Sequence, residues 1–129
     1  MSSIKKSCLI AGLALILLLT ACSGGAPEGQ GIRGLVLLGP NCPVMQEDVP
    51  CPDTPYEVQL AVTNLAGTQV IKTFWSKADG TFEVTLPVGE YAIRSIEQGG
   101  LPYCASDQPL VVSAGAMTET IVSCDTGIR

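Results

Sequence analysis

The chain has 129 residues, enough for one small domain and too few for two ordinary cores. Seven basic and 12 acidic residues leave a net charge of −5, and there is no histidine. The acidic balance argues against nucleic acid as a partner, and the missing histidine removes the commonest general base and metal ligand.

Lys5 and Lys6 precede an uninterrupted apolar run over residues 8–19. A membrane-spanning helix needs about 20 apolar residues, so this run has the length and flanks of a cleaved secretory signal over residues 1–21. The run ends in Leu19-Thr20-Ala21-Cys22, which resembles the bacterial lipobox. That resemblance implies cleavage before Cys22, which becomes the new N-terminus and whose thiol carries a diacylglycerol, with palmitate among the expected acyl chains. Residues 22–31 continue as CSGGAPEGQG, a flexible tether with almost nothing to bury. Two acyl chains anchor well where one is marginal, at about 0.8 kcal/mol per buried CH₂. The expected location is the cell envelope, on the outer membrane where the host has two, since Ser23 favours that sorting. Without Lys5 and Lys6 the seven basic residues fall to five against 12 acidic ones, a balance of −7.

Of six cysteines, Cys8 leaves with the signal and Cys22 accepts lipid. Cys42, Cys51, Cys104 and Cys124 remain, and an even number in a small exported domain reads as disulfides. Three pairings are possible. Cys42 with Cys51 and Cys104 with Cys124 is the expected one, because each pair flanks one local connection. A zinc site would want C-x₂₋₄-C spacing, which neither pair has.

The domain over residues 32–129 reads as strands and turns. Residues 31–38 form a first apolar strand that stops at Gly39-Pro40. Prolines at 43, 50, 52 and 55 make residues 40–55 an irregular loop outside the sheet. In residues 56–62, Tyr56, Val58, Leu60 and Val62 alternate with Glu57, Gln59 and Ala61, the period of a half-buried strand. Asn64 to Gly67 supplies a turn, and residues 68–75 form the hairpin partner. Asp79-Gly80 signals a second hairpin, followed by Phe82, Val84 and Leu86 on one face. After a turn at Pro87 and Gly89, residues 91–96 form a strand and residues 98–108 a long loop. Residues 110–113 and 117–124 close the chain as a last hairpin. These seven strands, with turns at regular spacing and no helix, predict an all-β, seven-stranded antiparallel β-sandwich of immunoglobulin-like or prealbumin-like type.

Residues 79–93 read DGTFEVTLPVGEYAI. The pairing of a D-G-x-F turn with P-x-G-x-Y resembles the carboxypeptidase regulatory-like domain, a prealbumin-like (transthyretin-like) sandwich. Residues 34–40 and the stretch LVVSAGAMT fit its first and last strands, so the resemblance covers residues 31–124. It implies a binding or structural accessory and no catalyst, since the carboxypeptidase zinc motif is absent.

Glu47, Asp48 and Asp53 lack the tight Gly-turned repeat of a calcium loop and read as solvated loop charges. Asp79 reads as a turn residue. Phe74, Trp75, Phe82 and Tyr91 are expected in the core, with an exposed Trp75 acting as a ligand platform as the alternative. Tyr103, beside Cys104 in a loop, is the expected exposed contact residue. The chain thus reads as a non-enzymatic lipoprotein, anchored to the membrane through Cys22, with an unidentified protein or glycan partner and no cofactor or metal. The alternative is an extracellular inhibitor or accessory that presents the disulfide-pinned loop 40–55 to a partner enzyme.

Overall fold

The apolar run after the Gly-rich segment becomes β1 (Gly31–Gly39), the strand around which the others are organised. The computed structural model describes residues 26–42 and 50–128, which are all-β, with no helix among the described residues. The signal and residues 22–25 of the tether, Cys22 among them, together with Glu47 and Asp48, lie outside the described residues. After β1 come β2 (Thr54–Pro55), β3 (Gln59–Thr63), β4 (Val70–Trp75), β5 (Thr81–Thr85), β6 (Gly89–Ser95), β7 (Tyr103–Ser106), β8 (Leu110–Val112) and β9 (Met117–Asp125).

Two of these strands occupy segments expected to be loops. Pro55 of β2 pairs with Leu37 at the edge of the sheet, where a missing donor is tolerated. β7 forms within the expected 98–108 loop, because Cys104 is held opposite Cys124 of β9 and Arg94 of β6 pairs with Ala105.

The sheet is mixed, which corrects the expected all-antiparallel arrangement. β1 runs parallel to β9 over nine registered pairs, from Gly31 with Met117 to Gly39 with Asp125. Strand order is β2-β1-β9-β7-β6-β3-β4, with β5 pairing β1 beside β2 and β8 pairing β6. Period-two patterning says which face of a strand is buried and nothing about the direction of its neighbour.

β3 and β4 form the expected hairpin, with a register shift between Val62 and Thr63. The other two expected hairpins do not form. β5 pairs with β1 rather than β4, and β8 pairs with β6 rather than β9. At the first site the turn chemistry is right: Gly80 has φ +82°, and its N–H donates to the Lys77 carbonyl at 2.8 Å. The Gly80 carbonyl, however, accepts from Val36 N–H at 2.8 Å, which commits the following strand to β1. Ser76 turns the chain out of β4. Its hydroxyl donates to the Tyr56 carbonyl at 2.6 Å and accepts from Val58 N–H at 2.8 Å.

The sheet therefore curls until its consecutive end strands, β4 and β5, face each other without a ladder. Phe74 and Phe82 bridge this seam with ring centroids 4.8 Å apart. Beside them Lys72 Nζ donates across the seam to the Thr85 carbonyl at 3.2 Å. A lysine on an edge strand also discourages pairing with another chain.

Inside the curl lie Ile32 and Val36 of β1, Leu60 and Val62 of β3, Ile93 of β6 and Val122 of β9, none more than 1% exposed. Phe82 and Tyr91 are buried as expected and Phe74 packs against the core, whereas Trp75 is 64% exposed. The expectation that Trp75 is buried is thus corrected. Phe74 takes the inward position, paired with Leu60, and the strand period turns the next residue outward. The expected half-burial of β3 also needs amending, since Ala61 and Thr63 on its other face are fully buried. β3 is an internal strand, between β4 and β6, where a small side chain is easily covered.

At the end where the chain enters, Gln30 is buried and clamps two turns. Its Nε2 donates to the Leu86 carbonyl at 3.0 Å, and its Oε1 accepts from Gly115 N–H at 3.2 Å. Tyr91 secures the neighbouring turn, its hydroxyl donating to the Pro87 carbonyl at 2.7 Å. Burial raises the Tyr91 pKa above its ordinary value near 10. The folded state therefore holds this proton more tightly than the unfolded chain. Its stabilising contribution is complete below pH 10 and is lost as pH rises through the folded-state value. Tyr91→Phe is expected to lower stability by about 1 kcal/mol at neutral pH and to flatten the alkaline decline. Urea denaturation of both proteins from pH 8 to 11 measures the difference, and parallel curves would contradict this account.

Candidate functional site

The outer face of β5, β1 and β9 carries two registered rows. Thr81, Leu35 and Ile121 make one, and Glu83, Arg33 and Glu119 the other. Arg33 donates from Nε to Glu119 Oε1 at 3.1 Å, with Nη2 3.0 Å from the same oxygen. Both side chains are more than half exposed, so the pair orients the guanidinium more than it stabilises the fold. Trp75 and Lys77 reach these rows from across the seam, and Asp107, just past β7, lies beyond Ile121. Together they enclose an open groove of about 1060 Å³.

The rim of the groove is held by a local turn. Asp79 Oδ1 accepts from the Thr81 hydroxyl at 2.6 Å and from Thr81 N–H at 3.0 Å, while Lys77 N–H donates to the Thr81 carbonyl at 2.9 Å. These Thr81 bonds, with a smaller contribution from nearby Lys77, hold the Asp79 carboxyl below the usual carboxylate range. Asp79 is the expected turn residue, and its turn positions both Thr81 and Lys77.

The side-chain carboxylates of Glu83 and Asp107 accept no hydrogen bond and form no ion pair among the described residues. The groove thus offers two free carboxylates, the Lys77 ammonium near Asp79, the Arg33–Glu119 pair, and the exposed apolar surfaces of Trp75 and Ile121 (56% exposed). Among the described residues no three His, Cys, Asp or Glu side chains converge as a metal-ligand set.

The remaining candidates gather at the end of the sheet opposite Gln30. Both expected disulfides are present there. Cys104–Cys124 joins directly opposed residues of β7 and β9 inside the core, and Cys42–Cys51 closes the loop after β1. Asn41 ties the base of that loop, its Nδ2 donating to the Leu38 carbonyl at 3.0 Å and the Pro52 carbonyl at 3.1 Å. Asp53 is exposed beside Gly39. Tyr103 is 38% exposed, next to Leu101 at 66%. β3 and β6 separate Tyr103 from Trp75, so these two contact candidates do not share a site.

Sequence reasoning singled out Trp75 but none of Arg33, Glu83, Asp107, Glu119 or Ile121. Ile121 carried the available signal: it falls in phase with Glu119 and Ser123, on the outward face of its strand. Its neighbours in space come from β1 and β5, and no pattern within one strand announces them.

No family model matches this chain, and neither a curated protein nor a solved structure does.

Proposed function

We propose that this protein is an exported lipoprotein, anchored in the cell envelope through acylated Cys22, whose β-sandwich is a non-catalytic binding module. The observation that carries the binding reading is Trp75, held 64% exposed over a groove with unpaired charges. Leaving the largest apolar side chain in water forgoes about 2 kcal/mol of burial, and such a surface is the usual mark of a contact site. The two disulfides agree with an extracytoplasmic location. In the sandwich reading, β4, β3, β6 and β7 form one layer and β5, β1 and β9 the other, packed over the core. The likeness of residues 79–93 to the carboxypeptidase regulatory-like domain belongs to the same reading.

The second reading, presentation of loop 40–55 to a partner enzyme, has its own support. β1 starts beside Gln30 and ends beside Asn41, so a tether at the N-terminus places this loop at the far end of the domain. A crosslinked loop loses little entropy on binding.

Intact-mass measurement on protein purified from membranes tests the anchoring. The expected mass is that of a chain beginning at acylated Cys22, and Cys22→Ser should release the protein from the membrane. An unacylated, soluble wild-type product would overturn the lipoprotein reading. Loss of partner binding in Cys42→Ser, with the fold intact and Trp75→Ala unaffected, would favour the loop over the groove.

A further inference from the structure

The geometry points to a neutral oligosaccharide as the ligand of the Trp75 groove, an assignment that rests on the binding-module reading above. Three features of the groove select this chemistry.

The first is the indole. Trp75 stands on the outward face of β4, where its registered neighbour is Gln59 and its companion along the strand is Thr73. An exposed aromatic face among polar neighbours suits a ligand that is apolar on one side and hydroxylated on its edges. Sugar rings have that form, with C–H bonds on a face and hydroxyls around the rim. A purely apolar partner would have to bury the Glu83 and Asp107 carboxylates without hydrogen bonds, which is costly.

The second is the arrangement of charge. Arg33 and Lys77 set against Glu83, Asp107 and Glu119 leave the groove near neutrality, with both signs distributed along it. An anionic chain would meet Glu83 and Asp107, and a cationic one Lys77 and Arg33. A neutral ligand meets no like charge, and hydroxyls can donate to carboxylates and accept from an ammonium in the same groove.

The third is shape. The groove is open and crosses from the seam over β5, β1 and β9 toward Asp107. At about 4.8 Å per strand spacing, that path is on the order of 15 Å, which suits an extended chain of several rings better than one small molecule.

Trp75 is the sole tryptophan of the chain, so its emission reports occupancy of the groove directly. The test titrates purified mature protein, in a detergent without a sugar headgroup, with hexasaccharides of glucose, of N-acetylglucosamine and of mannose. The expected result is a saturable shift of emission to shorter wavelength with at least one of them. By calorimetry, Trp75→Ala should then weaken binding at least tenfold, with partial recovery in Trp75→Phe. Glu83→Gln and Asp107→Asn, both surface changes, should each weaken it about tenfold. No shift with any of the three at millimolar concentration, or equal binding by Trp75→Ala, overturns the assignment. So does a shift that depends only on protein concentration, which would mean that copies of the chain cover the groove. A lysine-rich peptide that saturates the shift where the sugars fail overturns the sugar assignment while leaving the binding module standing. Silence toward every probe removes the groove from both readings.

Discussion

Replacing Cys104 and Cys124 together by alanine is expected to lower the free energy of unfolding by about 3 to 5 kcal/mol, more than any comparable change at Cys42 and Cys51. Loop entropy alone does not produce the difference. The two bridges close separations of 20 and 9 residues. On the chain-entropy model those loops contribute about 3.3 and 2.7 kcal/mol, nearly the same. Burial decides between them. Cys104 and Cys124 are 0% and 2% exposed within the hydrophobic cluster, so removing their sulfurs also leaves unfilled core volume. Their bridge also ties β7 to β9 within the single continuous sheet path, whereas Cys42 and Cys51 are only half-buried. Urea denaturation of the two double variants, followed by far-ultraviolet circular dichroism, measures both losses under one protocol. Equal losses would mean that the core relaxes around the missing sulfurs and that loop closure is the whole effect.

How much of this could be read from the chain varies with the range of the interaction. The alternation Tyr56, Val58, Leu60, Val62 placed β3 and its buried face, because period two is a local property. The pairing of Cys104 with Cys124 was also within reach, since the segment between them returns to where it started. The partner of β5 was not. Thr81 to Thr85 has the same pattern whether it pairs with β4 or with β1, and the choice is made by the Gly80 carbonyl meeting Val36 N–H, a contact 44 positions away along the chain. The same limit hid the groove. Trp75 and Ile121 are conspicuous only once the curl has brought the seam beside β1 and β9. The exposure of Trp75 departs from expectation for a related reason. Scarce aromatics tend to be buried, but Phe74 and Phe82 already fill the seam, and adjacent residues of a strand cannot both face inward.

The parallel pairing of β1 with β9 makes its own sharp prediction: Gly34→Ala should cost about 3 kcal/mol or more, an unusually large effect for one added methyl group. Gly34 sits mid-strand, opposite Phe82 on one side and Thr120 on the other. A Cβ built there overlaps the Thr120 carbonyl oxygen, lies 2.9 Å from the Thr120 carbonyl carbon and 3.3 Å from the Phe82 ring. The backbone oxygen cannot swing aside as a flexible side chain can, so β1 and β9 must separate or Phe82 must leave its contact with Phe74. Gly67→Ala is the control. Gly67 has φ +71° and nothing within 4 Å of where a Cβ would stand, so only the conformational cost of about 1 kcal/mol applies. If Gly34→Ala proves no worse than Gly67→Ala in urea denaturation, the two strands have enough slack to admit a methyl group and the close approach is not required. If it unfolds the protein early, the spacing of β1 and β9 is rigidly specified. Leu35 and Ile121, one residue further along the same pair, would then form a groove floor whose geometry is set from inside the core.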